Sequence, residues 1–380
     1  MSALPLAGIT VVSLEQAVAA PFATRQLADL GARVIKVERD AGDFARGYDA
    51  KVRGMASYFV WLNRSKESIV LDLKSGSGRA VLQKLVSQAD VLVQNLAPGA
   101  IERLGLGADD ALALNPRLIH TSISGYGRGG PYEQKKAYDL LVQCEAGVLS
   151  VTGTPDSPAK VGISIADIAA GMYTYTGILT SLLQRASTGR GDVLEISMLE
   201  ALGEWMGQPY FYAEYGGSQQ IRSGAEHATI APYGPFPTSD GTVFFGIQNE
   251  REWSIFCGDV LRQAELAEDA RFAGNTVRVE NRAALHETIN ATLGPLSTTE
   301  VLHRLDAAGI ANAQLRTMQE FSAHPQLIAR DRWHDVESPV GPLRSLIPPV
   351  TSREARVRMD AVPELGEHTS KILAELGMTV

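Results

Sequence analysis

Cysteine is almost absent from this chain: 380 residues contain only Cys144 and Cys257. Two thiols cannot build a disulfide framework or a cysteine-rich metal site, and they read as reduced side chains. Basic residues are also in short supply, 35 against 43 acidic ones, for a formal net charge of −8. A nucleic-acid binder would carry a basic surplus, so that class is set aside. No run is long and apolar enough to span a bilayer, because IAAGMYTYTGILTSLLQRAS is broken by polar residues. MSALPLAGITVVSLE lacks a basic segment ahead of a long apolar one, so no signal peptide and a cytoplasmic protein are expected. The seven histidines are scattered without H-x-H or H-x-x-x-H spacing, and no metal site is expected. The missing G-x-S-x-G elbow excludes an ordinary serine hydrolase.

What is present is a sizeable core and a repeating pattern. Apolar residues make up 45% of the chain, and its length suggests two domains. Apolar runs at 9–14, 33–38, 68–73, 90–96 and 118–124 read as buried strands. Helical patterns at 22–31 and 77–89 lie between them, and helix 168–187, strand 192–197 and helix 198–215 continue the alternation. Alternating strands and helices predict a parallel sheet covered by helices, an α/β fold. Residues 216–241 are rich in Gly, Ser, Pro and Gln and read as a linker and loop. Beyond them come strand 242–247 and helices near 250–263, 277–292 and 297–309, with a closing helix at 366–377. The expected division is a large domain over 1–200 and 335–380, a linker over 201–224, and a smaller domain with its return linker over 225–334.

Three features suggest chemistry. GYGRGG (125–130) fits G-x-G-x-x-G, but PYEQKK follows it in place of an apolar helix, so it is no dinucleotide fingerprint. Basic residues collect just beyond strands: Arg39, Arg103, and the pair Lys135 and Lys136. The carboxyl edge of an α/β sheet is where ligands bind, and cations there suit a ligand with several phosphates. The third feature is Asp167, alone among small and apolar residues in VGISIADIAAG. It reads either as a cap for the helix that follows or as a nucleophile, and a helix N-terminus would favour its ionised form.

These stretches together resemble the type III CoA-transferases, the family of formyl-CoA transferase and carnitine CoA-transferase, with α-methylacyl-CoA racemase as a relative. The resemblance is carried by LPLAGITVVSLEQAVAAPFATRQLADLGARVIKVE, SIVLDLKS, ADVLVQNLAPGAIERLGL, NPRLIHTSISGYGRGGP, IADIAAGMY, STGRGDVLEISM and GEHTSKILAELG. It implies a Rossmann-like large domain plus a smaller α+β domain in an interlocked homodimer. It implies coenzyme A and acyl-CoA as substrates, with no tightly bound cofactor. Asp167 matches the family's nucleophile, which forms an aspartyl anhydride and then an aspartyl-CoA thioester. Arg39, Arg103 and Lys136 match its phosphate contacts. Leu71, Asp72, Leu73 and Lys74, with Asn95, Leu96 and Ala97, match loops around the adenosine. Val18 and Ala19 lie near the thiol end, where formyl-CoA transferase carries a glutamine in place of Val18. Ala137, Tyr138 and Asp139 match the segment beside the nucleophile, Asp139 as a second acid or as a structural residue.

Two alternatives stay open, a racemase and a non-catalytic CoA-binding protein. The racemases carry a histidine where this chain has Tyr138, and a tyrosine is a poor base near neutral pH. SGAEHATIAPYGPFPTSDG (223–241) has no glycine run like the loop that shields intermediates in formyl-CoA transferase, so an oxalate or formyl preference is not expected. HATIAPYGPFPT and GIQNEREW resemble members that use succinate, malate, citramalate, mesaconate or itaconate. A dicarboxylate has one carboxylate to react and one to be held, and Arg46, Arg222 and His227 are the candidates to hold it.

Overall fold

The computed structural model describes residues 4–378. Two compact units result, one of Met1–Val148, Val161–Gln208 and Ile328–Val380, the other of Leu149–Lys160 and Pro209–Leu327.

The first unit is built on six parallel strands: β1 (Thr10–Leu14), β2 (Arg33–Glu38), β3 (Lys66–Val70), β4 (Val91–Gln94), β5 (Ile119–Ser124) and β6 (Asp192–Ser197), in the spatial order β3-β2-β1-β4-β5-β6. The chain reverses its direction of strand addition between β1 and β4, which opens a crevice at the carboxyl edge. Crossing segments include α1 (Ala19–Asp29), α2 (Ser57–Leu62), α3 (Gly76–Gln88), α4 (Ala100–Arg103), α5 (Ala108–Leu114), α6 (Asp139–Glu145), α7 (Ile165–Thr188) and, after β6, α8 (Met198–Trp205). Val12, Ile35, Ile69 and Leu92 from four neighbouring strands pack with Val81, Leu82 and Leu85 of α3. The C-terminal helix Thr369–Leu376 returns to this core through the buried Ile372.

Strand β3 begins two residues earlier than expected and ends three earlier. Lys66 and Ser68 look like surface residues, yet both are buried in the sheet. Leu71 to Lys74 form the turn that follows, closed by Ser75, which caps α3 through Gly78. Gly78 fits because a Cβ there would stand 2.2 Å from the Asp72 carbonyl oxygen.

The second unit carries an antiparallel sheet of β7 (Tyr233–Pro237), β8 (Thr242–Gly246) and β9 (Asn312–Gln314), with β8 in the middle. Helices cover it around Phe236, Phe245, Trp253 and Phe256. Among the described residues no helix is long and apolar enough to cross a membrane.

Candidate active site

The turn from β1 into α1 is the most constrained backbone at the carboxyl edge. Ala17 has a left-handed φ of +61°, costly for a residue with a Cβ. Neighbouring strands supply what holds it. The Ala17 N–H donates to Asp43 at 3.1 Å, the Gln16 N–H to Asn95 at 2.9 Å, and Asn95 donates back to the Gln16 carbonyl at 2.8 Å. Asn95, expected in a loop around adenosine, therefore clamps this turn through its side chain.

Beneath the turn lies a buried ionic cluster. Lys66 reaches Glu15 at 2.6 Å, and Lys36 bridges Glu15 at 3.3 Å and Asp43 at 2.8 Å, all four side chains being buried. Buried charges persist only when paired in this way. Burial, with Lys36 adding to it, pushes Lys66 down to about 8 against the pull of Glu15. Burial acts against the Glu38 charge too, but hydrogen bonds from Arg46 and the charges of Lys36 and Arg46 hold Glu38 down at about 2.

Above this cluster opens a cleft of about 640 Å³ lined by the ends of β1, β2 and β3. It gathers Arg39, Leu71, Asp72, Leu73, Lys74 and Leu96. A second hollow of about 300 Å³ adjoins the ends of β4 and β5 and takes in Leu96 and Ala97. Both volumes lie in the range of small-molecule sites. Arg103 and Lys136 are exposed and line neither hollow. Lys135 is committed elsewhere, to Glu145 at 2.5 Å and over the Tyr132 ring at 4.1 Å. Val18 and Ala19 start α1 and are buried.

Asp167 stands in the first turn of α7, which begins at Ile165, not after Asp167. The capping role falls to another residue. Asp139, at the start of α6, accepts the Ala166 N–H at 2.8 Å and the Asp167 N–H at 3.3 Å. Its other oxygen accepts from Gln143 at 2.7 Å, and Gln143 in turn accepts the Val161 N–H at 2.9 Å. Among the described residues no hydrogen bond reaches the Asp167 carboxylate. Burial and then the negative charge of Asp139 push Asp167 up to about 7. The sequence led us to expect that the helix N-terminus would favour the ionised form; the structure corrects this, because Asp139 takes the N–H groups that would have done so.

Aromatic side chains from the β2–β3 connection surround this point. Tyr48 packs edge-on against Tyr58 with centroids 5.7 Å apart, and the Tyr58 hydroxyl lies 3.3 Å from the Ser164 hydroxyl that precedes α7. Burial, then Asp43 and Asp167, push the Tyr48 phenol up to about 12. Tyr138 is 68% exposed. Neither Tyr48 nor Tyr58 was legible as a site residue, since no pattern in GDFARGYDAK or ASYFVWL distinguishes them. Helix α7 meets the β1–α1 turn closely: a Cβ on Gly171 would stand 2.7 Å from the Ala19 carbonyl oxygen.

The three residues considered for a remote carboxylate are engaged elsewhere. Arg46 gives Nε and Nη2 to Glu38, both at 2.8 Å, and stacks over Phe59 at 3.7 Å, leaving Nη1. Arg222 donates to the carbonyls of Thr154 and Pro155, and the His227 ring stacks on Tyr233 at 5.2 Å while Nδ1 accepts the Thr229 N–H. His120 is buried in β5 with Nε2 at 3.1 Å from the Leu106 carbonyl, so it cannot act as a base on a bound ligand. Among the described residues no three His, Cys, Asp or Glu side chains converge to hold a metal ion.

The sequence profile of CoA-transferase family III matches residues 6–369. The chain belongs to CoA-transferase family III. It is an enzyme of that class. It is 32% identical to the succinyl-CoA:glutarate CoA-transferase of Mus musculus, over 98% of this chain and 86% of that protein. It is 32% identical to the succinyl-CoA–D-citramalate CoA-transferase of Chloroflexus aurantiacus, over 99% of this chain and 95% of that protein. A CAIB/BAIF family protein of Brucella suis, known from its crystal structure, superposes with a TM-score of 0.88 at 34% identity, covering 99% of this chain and all of that one. The relatives so named are CoA-transferases acting on CoA thioesters.

Proposed function

We propose that this enzyme moves CoA from succinyl-CoA, or another short dicarboxylyl-CoA, to an acceptor acid of the malate, citramalate, mesaconate or itaconate type, with Asp167 as nucleophile. The observation that carries the reading is Asp167 itself: a carboxylate free of hydrogen bonds, one helical turn before the glycine that touches the β1–α1 turn. The Asp167 carboxylate attacks the thioester carbonyl, the C–S bond breaks, and CoA leaves as thiolate from an acyl-aspartyl anhydride. The thiolate attacks the aspartyl carbonyl, releasing the donor acid and leaving an aspartyl-CoA thioester. The acceptor carboxylate displaces the thiolate to form a second anhydride, and the thiolate then attacks the acceptor acyl carbon, which frees Asp167. One hard exchange becomes four easier ones.

The cleft with Arg39 and Lys74 fits the nucleotide end of CoA, and Arg103 and Lys136 fit its phosphates as exposed cations whose side chains pair with none of the described residues. The relatives named for glutarate and D-citramalate support a dicarboxylic acceptor. Arg46, through the Nη1 that Glu38 leaves free, would hold its remote carboxylate. The strand order supports a Rossmann-like large domain. Helix Gly207–Gly216 buries none of its residues and exposes Tyr210, Phe211 and Tyr215, which supports its coverage by a second copy in an interlocked homodimer. Two unpaired thiols fit a cytoplasmic location. A racemase reading finds no support at Tyr138 or at the buried His120.

The test offers succinyl-CoA with malate, citramalate, mesaconate, itaconate, glutarate, oxalate and butyrate as acceptors. The first five acceptors should lead, Asp167→Ala should abolish transfer, and hydroxylamine should trap acyl groups on Asp167 alone. Substantial turnover by Asp167→Ala would sink the mechanism; preference for butyrate or oxalate would sink the acceptor class only.

A further inference from the structure

The start of α7 needs a cap, and the residue that supplies it comes from elsewhere in the chain. Ser164 occupies the cap position but makes no side-chain bond to the helix. Asp139 reaches over from α6 and takes the Ala166 and Asp167 N–H groups. Its second oxygen is tied by Gln143, and Gln143 is tied to the Val161 N–H, so the segment leading into α7 is stitched to α6. An acid in the first turn of a helix ordinarily competes for these same N–H groups. Here the competition has been decided against Asp167.

We propose that Asp139 is a positioning residue for the transfer reaction: by occupying the N-terminus of α7 it keeps the Asp167 carboxylate free of hydrogen bonds and next to a fixed negative charge. This rests on Asp167 being the nucleophile. A carboxylate bonded to helix N–H groups is stabilised as the anion and is a weaker base and nucleophile. One denied those bonds is a stronger nucleophile once ionised, at the cost of a larger protonated fraction. The groups facing Asp167 agree with this. They are Asp139 at the start of α6 and Tyr48 after β2. Neither is a cation. The raised proton affinity of Asp167 follows from burial and Asp139.

Two variants separate the charge from the cap. Asp139→Asn removes the charge and keeps an oxygen to accept the two N–H groups, whereas Asp139→Ala removes both. The readout is the infrared carbonyl band of the protonated Asp167 carboxyl, assigned by its loss in Asp167→Asn, followed against pH alongside kcat/KM. In wild type its midpoint should fall near 7. In Asp139→Asn it should fall by ~1 pH unit, with the acid limb of kcat/KM moving equally. In Asp139→Ala it should fall further, because the freed N–H groups turn to Asp167, and the high-pH plateau of kcat should drop at least tenfold. An unmoved midpoint in Asp139→Asn, or one in Asp139→Ala no lower than in Asp139→Asn, overturns the proposal. The band is read without turnover, so an enzyme whose Asp167→Ala variant still transfers CoA would refute the nucleophile separately.

Discussion

Asp167 gives up stability for its role, and the sign of that cost is testable. Its folded-state affinity for a proton is raised, from an ordinary value of 3.8 to about 7. Between those values the folded chain holds a proton that the unfolded chain has lost, so stability falls as pH rises through the window and the full cost is present above it. Asn at this position carries no charge and escapes the cost. Asp167→Asn should therefore be more stable than wild type at pH 8, by ~2 kcal/mol after allowance for partial solvation, and indistinguishable near pH 4. Urea unfolding at both pH values checks this, and an equal difference at both would refute the pH linkage. The sequence picked out Asp167 by its isolation, and nothing in the sequence could show that its helix cap would come from 28 residues upstream.

Among the elements, the contact of α1 with α7 matters most. Small residues, Ala19 and Ala20 on one helix and Ala169, Ala170 and Gly171 on the other, are buried on these helices. A Cβ on Gly171 would meet the Ala19 carbonyl at 2.7 Å and Phe22 at 3.0 Å. Gly171→Ala gains ~1 kcal/mol of helix propensity. Overpacking costs ~1–3 kcal/mol and should outweigh that gain. The expected result is a lower melting temperature with helical content retained, and a fall in kcat larger than any change in KM for acyl-CoA, since the turn carrying Val18 is pushed off α7. A more stable Gly171→Ala protein would show that the helices separate freely. The strand bounds read from the sequence at β2 and β6, 33–38 and 192–197, agree with the structure. They shifted at β3, where Lys66 and Ser68 mimic a surface stretch because their partners come from elsewhere, Glu15 just after β1 and Glu38 at the end of β2.

At the scale of the whole molecule, a phosphate cradle needs cations from separated positions on one sheet edge. Arg39 follows β2, Arg103 lies beyond β4 and Lys136 beyond β5. Arg39→Ala, Arg103→Ala and Lys136→Ala should each raise KM for acyl-CoA more than they lower kcat. Loss of a charge-assisted bond costs about 1.5–3 kcal/mol, a factor of roughly 10 to 100. Steady-state kinetics at two ionic strengths checks this; an unchanged KM in all three variants would move the cofactor elsewhere. Lys135, adjacent in sequence, is the internal control because Glu145 and Tyr132 already hold it.

By itself the sequence determined the α/β class, the parallel run of strands, the family resemblance and the candidate nucleophile. These follow from local periodicity and from short motifs, which need only neighbours along the chain. Tertiary structure alone decided that Asn95 and Asp43 hold Ala17 in a left-handed conformation, that Arg46 is already bonded to Glu38, and that Asp139 caps the helix of Asp167. Each of those depends on which charged or polar group meets which across tens of residues, and a buried charge is compatible with the fold only once its partner has arrived.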